Sequence, residues 1–275
     1  SLALDNLAFD CADLGTNTIT LTGTDGSGNT ASATATVTVK DNINPIVTAK
    51  DFLGYLDVNG QLAISQNDVV DALSDNCSIA NVTISKTEFG CAELGENTVT
   101  IIVTDAAGNT ATATSTVTIE DKTAPVVTVQ NVSLNLDASG NATLEVSDVE
   151  TSSTDNCGIA SKMLSQTAFD CDDLGSNTVS LTVTDASGNE VIEEFTVTVV
   201  DNIAPNVVAQ DVTVYLNSNG EALISVQDVN NGSTDNCSLT LELNKTSFDC
   251  NDLGTNTVLL TGTDASGNSA AASAV

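Results

Sequence analysis

Thr98-Val99-Thr100-Ile101-Ile102-Val103-Thr104-Asp105-Ala106-Ala107-Gly108-Asn109-Thr110-Ala111-Thr112-Ala113-Thr114-Ser115-Thr116-Val117-Thr118-Ile119 is the stretch that decides the fold. In its first half Val99, Ile101 and Val103 share one face while threonines dominate the other, and its second half alternates just as strictly. A period of two in β-branched residues marks a half-buried antiparallel strand. Residues 105–109 make a tight hairpin connection, with Gly108 supplying a positive φ. Upstream of the next copy, residues 132–136 and 142–146 flank Asp137-Ala138-Ser139-Gly140-Asn141, a second hairpin.

Working outward, the same segment returns along the chain. Asp10-Cys11-Ala12-Asp13-Leu14-Gly15-Thr16-Asn17-Thr18 reappears at 90–98, 170–178 and 249–257, and Cys11, Cys91, Cys171 and Cys250 stand 80, 80 and 79 residues apart. A fixed period of this length means tandem copies of one small domain. With Pro45, Pro125 and Pro205 as phase markers, the units run 1–43 (partial), 44–123, 124–203 and 204–275 (lacking the end of its last strand). Ser1 aligns with Asn81 and Val275 with Thr196, so the chain reads as a piece of a longer array. About seven short strands in each unit predict an all-β chain of tandem immunoglobulin-like β-sandwich domains. No stretch shows a helical period. Linkers such as residues 121–125, stiffened by Pro125, predict an extended rod on the order of 120 Å.

The core is thin: there is no Trp, and aromatics make up 3% of the chain. Phe9, Phe89, Phe169 and Phe248 each precede a cysteine by two residues and read as rings packed on a disulfide. Seven cysteines form the pattern: Cys77 and Cys91, Cys157 and Cys171, and Cys237 and Cys250 lie 14, 14 and 13 residues apart. One pair per unit reads as one disulfide per domain, formed in an oxidising compartment, with the partner of Cys11 upstream of Ser1. A zinc site is the weaker alternative, since two thiols and no His leave a structural tetrahedron incomplete.

There are 37 acidic residues against 6 basic ones, a formal net charge of −31. That balance excludes nucleic acid, whose phosphates need Lys and Arg clusters, and disfavours an anionic membrane surface. No run of 18 apolar residues exists to insert into a membrane. Dense carboxylate suits a hard cation such as Ca²⁺, and equally serves the solubility of a long extracellular rod.

The run Leu-Gly-x-Asn-Thr-Val-x-x-Thr-x-Thr-Asp-Ala-x-Gly-Asn, then an alternating strand and Asp-Asn-x-x-Pro, resembles the hyalin-repeat (HYR-like) family of immunoglobulin-like modules. With Asp-Asn-Cys and Phe-Asp-Cys added, it resembles the tandem repeats of SprB-type giant surface adhesins of gliding Bacteroidetes. The resemblance covers the whole chain. It implies an extracellular cell-surface scaffold related to adhesion, exported in that family by the type IX secretion system.

Three acidic positions recur at loop ends. Asp41, Asp121 and Asp201 close a last strand before a proline; Asp75, Asp155 and Asp235 stand in Asp-Asn-Cys; Asp105, Asp185 and Asp264 open the Gly-Asn hairpin. Where one sandwich meets the next, Asp41 would face Asp75 and Asp105, Asp121 would face Asp155 and Asp185, and Asp201 would face Asp235 and Asp264. This resembles the cadherin arrangement, in which a short acidic linker shares Ca²⁺ with loops of the following domain. It departs from it in carrying a single linker Asp, and Lys122 where the other junctions have Asn. Turn capping is the competing explanation for all nine. Asp68, Asp148 and Asp228 also recur, and read as caps of a short turn.

Two functions stand side by side. One is a stalk or filament segment of a long secreted adhesin, related through the resemblance to gliding motility, whose repeats contact one another and leave a surface ligand such as polysaccharide to other domains. The other makes each repeat a weak carbohydrate or protein receptor that gains avidity by repetition, with Tyr55, Tyr215 and Phe52 as stacking residues. Catalysis has no His and no thiol with a basic partner to use, so the chain is expected not to be an enzyme. Threonine-rich strands invite an ice-binding reading, but an 80-residue sandwich period lacks the flat stacked ladder of a solenoid.

Overall fold

The computed structural model describes residues 1–275, which form two compact units, residues 1–123 and 124–275. In the first unit, Leu2–Leu4, Gly15–Thr24 and Thr30–Val39 form an antiparallel three-stranded sheet. The rest of that unit holds a four-stranded sheet in the order Phe52–Tyr55, Thr110–Glu120, Gly95–Asp105, Ile79–Ile84. Its first pair is parallel and the others antiparallel. Ile46–Ala49 pairs with Val70–Ser74, and Gln61–Ala63 with Glu88–Gly90.

The second unit repeats the plan. Val132–Asn135, Glu190–Val200, Gly175–Asp185 and Ile159–Leu164 make the four-stranded sheet. Val126–Val129 pairs with Glu150–Thr154, and Asn141–Thr143 with Ala168–Asp170. The closing repeat contributes Thr240–Leu243, Val258–Thr263 and Ser269–Ala274, with Glu221–Leu223 paired to Ser247–Asp249. These are tandem β-sandwiches, as the alternation predicts.

The buried faces are those the period marks. Val99, Ile101 and Val103 are fully buried together with Val117 and Ile119. Val179, Leu181 and Val183 do the same beside Phe195, Val197 and Val199. Phe89 and Phe169 are core side chains, standing opposite Leu62 and Ala142 across their short ladders. Each 11-residue strand is held in register by a hairpin. Asp105 and Asn109 close the first, where Gly108 has φ +94°.

One-turn helices at Gln66–Val69, Val146–Val149 and Val226–Val229 are too short to leave a periodic signature. Asp68, Asp148 and Asp228 cap them as expected: Asp68 Oδ2 accepts from the Ser65 N–H at 2.7 Å and its hydroxyl at 2.8 Å. At Asp68 and Asp228 the Ser65 and Ser225 donors, backbone N–H first, hold the carboxyl below its ordinary pKa.

The disulfides correct the sequence reading. Cys77 is bonded to Cys11, not to Cys91, and Cys237 is bonded to Cys171, not to Cys250; both bridges span 66 residues. Cys91 and Cys157 are disulfide-bonded as well. Cys250 is free and exposed. The reason is the length of a strand. In one repeat the first cysteine lies at the hairpin end, since the Ser78 carbonyl accepts from the Ala106 N–H. The second opens the 3₁₀ turn Cys91–Glu93, at the far end of the strand Gly95–Asp105. At about 3.3 Å per residue those ends are roughly 33 Å apart, far beyond the 7 Å that a disulfide tolerates between Cα atoms. The 14-residue spacing therefore crosses the sandwich. The bridge forms where the end of one repeat meets the start of the next, with Cα atoms 5.3 Å apart in Cys11–Cys77 and 5.4 Å in Cys171–Cys237.

Candidate cation site

Where two repeats meet inside each unit, three carboxylates converge. In the first unit Asp41, Asp75 and Asp105 each offer an oxygen within 4.8 Å of the others; in the second, Asp201, Asp235 and Asp264 do so. Asp41 and Asp201 follow the strands that end their repeats; in the following repeat Asp75, Asp235 and Asp264 sit in loops and Asp105 ends the strand Gly95–Asp105 at its hairpin. Asp105, Asp201 and Asp264 are buried.

Part of each carboxylate serves its own turn. Asp105 Oδ1 accepts from the backbone N–H of Ala107 at 2.9 Å and Asn109 at 2.8 Å, and Oδ2 accepts from Asn109 Nδ2 at 2.7 Å. Asp264 repeats this with Asn268, at 2.8 Å for both the backbone N–H and Nδ2. Asp75 Oδ2 accepts from the Cys77 N–H at 2.9 Å, and Asp235 Oδ2 from the Cys237 N–H at 3.0 Å. Asp41 Oδ1 takes the Ile43 N–H, and Asp201 Oδ1 the Ile203 N–H, both at 3.0 Å. Turn capping is thus present at each of these positions.

It does not use all the oxygens. Asp75 Oδ1, Asp201 Oδ2 and Asp235 Oδ1 are buried with no hydrogen-bond partner, and so is Asn236 Oδ1. An ionised oxygen taken out of water without a partner is costly, and converging like charges raise the cost. Four of the six lysines are engaged elsewhere, in Lys86–Glu93, Lys122–Glu120, Lys162–Glu150 and Lys245–Asp252. An all-oxygen set of carboxylates, an Asn carbonyl and backbone is the chemistry of Ca²⁺ rather than of a soft metal. The residues fit such an ion.

At Asp105 the largest influence on the carboxyl is burial, which raises its pKa. The Asn109 amide and the backbone N–H groups of Asn109, Ala107 and Gly108 outweigh it, holding the group below the ordinary carboxylate value.

Asp121 follows the strand Thr110–Glu120, is buried, and accepts from the Thr123 N–H at 3.0 Å. In the second unit Asp155 Oδ2 accepts from the N–H of Cys157 and Gly158, and Asp185 Oδ1 from those of Ser187 and Asn189. Their local chemistry matches that of their counterparts.

Sequence reasoning missed the asparagines. Asn76 Nδ2 donates to Asp41 Oδ2 at 3.0 Å and Asn236 Nδ2 to Asp201 Oδ1 at 3.1 Å, while Asn109 and Asn268 donate to the carbonyls of Asp41 and Asp201. Each ties one repeat to the next. Their signal was visible in the recurrent Asp-Asn-Cys and Gly-Asn pairs.

Residues 120–199 match the HYR domain family. Hyalin of Strongylocentrotus purpuratus is 41% identical over 123 residues, 42% of this chain and 10% of hyalin. The serine-rich adhesin for platelets of Staphylococcus aureus (strain USA300) is 32% identical over 117 residues, 38% of this chain and 5% of the adhesin. The chain thus spans a tenth or less of these relatives. Among solved structures, the protocadherin GammaB4 extracellular domain superposes with a TM-score of 0.32 at 16% identity, covering 96% of this chain and 56% of that one. That score adds nothing to the fold already read from strand pairing. Disulfides belong to an oxidising setting, and the chain is extracellular. No helix is long and apolar enough to cross a membrane.

Proposed function

We propose that this chain is a stalk segment of a long secreted cell-surface adhesin, in which Ca²⁺ held between consecutive HYR repeats stiffens the array. The observation that carries this reading is the Asp201–Asp235–Asp264 set, with buried oxygens that no protein donor satisfies. A cation there would gather a strand end and two loops from successive repeats, which is the place where a rod bends. The bridges Cys11–Cys77 and Cys171–Cys237 support the same role, because they fasten the same junctions covalently. Repetition supplies length, and other domains of the parent would carry the surface ligand. The likeness to SprB-type repeats extends the reading to gliding motility, where an adhesin transmits pull between cell and surface.

The receptor alternative finds less support. Tyr55 and Tyr215 are exposed, but Asn135 takes their place in the repeat between, so no row of stacking rings runs along the array. The proposal assigns no catalytic role, since the acidic groups are committed to turns and to the junction.

Small-angle scattering of the 275-residue chain tests the reading. Chelator should make the chain more flexible, and added Ca²⁺ should restore it, with far-ultraviolet dichroism unchanged. Identical scattering in both would leave turn capping as the whole role of the carboxylates.

A further inference from the structure

We propose that the face formed by Cys250 and the 217–220 turn is a covalent docking site for the Asp-Asn-Cys loop of another HYR repeat. The argument is a comparison of equivalent positions within one chain. Cys11 and Cys171 each open a 3₁₀ turn, capped by Asp10 and Asp170, and each is bonded to an Asp-Asn-Cys cysteine 66 residues on. Cys250 opens the same turn, capped by Asp249 through the Asn251 N–H at 2.7 Å, and its thiol is free and exposed.

The seat for the incoming loop is visible in the second unit. Cys171 Sγ lies 3.5 Å from the Asn236 carbonyl oxygen, and Asn236 Nδ2 donates to the Asp137 carbonyl at 3.4 Å. Gly140 makes the approach possible: at φ +75°, a Cβ there would stand 2.6 Å from that Asn236 oxygen and 2.8 Å from Cys171 Sγ. Gly220 has the same conformation, φ +80°, in a turn whose Asn217 Oδ1 accepts from the N–H of Asn219 and Glu221, as Asp137 Oδ1 does from those of Ser139 and Asn141. Its Cβ direction meets Cys250 Sγ at 3.0 Å and no other atom within 4 Å. The glycine, the turn and the thiol are all in place for an Asp-Asn-Cys loop. The partner is therefore a repeat of this chain's own kind. This inference requires neither the cation nor the adhesin reading.

The bond needs an oxidant, and a small-molecule disulfide such as oxidised glutathione suffices. The Cys250 thiolate attacks it, releasing one glutathione thiolate and leaving a mixed disulfide. The incoming cysteine thiolate then attacks the Cys250 sulfur and expels the second glutathione. Two protein thiols lose two protons and two electrons, and one glutathione disulfide becomes two thiols.

The test extends the whole chain by a second copy of its residues 197–275 placed after Val275, which sets the copied Cys237 at 66 residues from Cys250. The extended chain is refolded with reduced and oxidised glutathione, alkylated, and mapped without reduction. The expected result is loss of Cys250 alkylation, a Cys250 peptide linked to the copied Cys237, and alkylation only at the copied Cys250. Alkylated Cys250 in an extended chain with the strand dichroism of added sandwich would overturn the proposal. So would a copied Cys237 bonded to the copied Cys250. In the unextended chain Cys250 should be fully alkylated, which fixes the reference.

Discussion

Replacing both Cys171 and Cys237 with serine should lengthen this protein under load far more than it destabilises it at rest. The bridge short-circuits the 66 residues of chain from Cys171 to Cys237. While it is closed, no unfolding of that loop can add to the distance between the chain ends. At about 3.5 Å of contour per residue the loop hides roughly 230 Å, against a bridged Cα separation of 5.4 Å. Opening it should therefore add about 225 Å. The entropic effect on folding is modest by comparison, about 4 kcal/mol for a loop of this size. Single-molecule pulling from residues 1 and 275 under oxidising conditions reads the difference directly. The fully unfolded contour length of the double serine variant should exceed that of the native chain by about 225 Å. Equal contour lengths would refute the bridge connectivity, and with it the view that consecutive repeats share their load through disulfides.

Three other outcomes follow from the same geometry. Asp201→Asn should remove the thermal stabilisation that Ca²⁺ gives the second unit, about 2.7 kcal/mol at a hundredfold excess over Kd, without lowering the melting temperature in chelator. Asp105 has a folded-state pKa held below its unfolded value, so its contribution is present above the unfolded carboxylate pKa of about 4 and is lost as pH falls through the folded value; the native chain should lose melting temperature below that pH more steeply than Asp105→Asn. Leu181→Ala empties a fully buried position and should cost about 2–5 kcal/mol in urea unfolding, with the second unit affected and the first spared.

The strands were legible because burial imposes a period of two, and Val99, Ile101 and Val103 display it without interruption. The hairpin at residues 105–109 was legible because Gly108 and Asn109 are what such a turn demands. The convergence of Asp41, Asp75 and Asp105 could be read from phase alone, since a strand end must meet the loops of the next sandwich. The cysteine partners could not. In an array with a period of 80, a spacing of 14 within one repeat is the same pattern as a spacing of 66 between repeats. Only knowing that residues 77–91 traverse the sandwich from end to end separates the two. Nor could the sequence rank turn capping against cation binding, because the same Asp serves its turn through one oxygen and faces the junction with the other, as Asp235 does.

Crystals of the chain grown with Ca²⁺ and measured at a wavelength where calcium scatters anomalously decide whether these junctions are cation sites. An anomalous peak should lie among Asp201, Asp235 and Asp264, with oxygens at about 2.4 Å and Asp201 Oδ2 and Asp235 Oδ1 among its ligands. Carboxylates satisfied by water alone, with no anomalous density between them, would contradict the account.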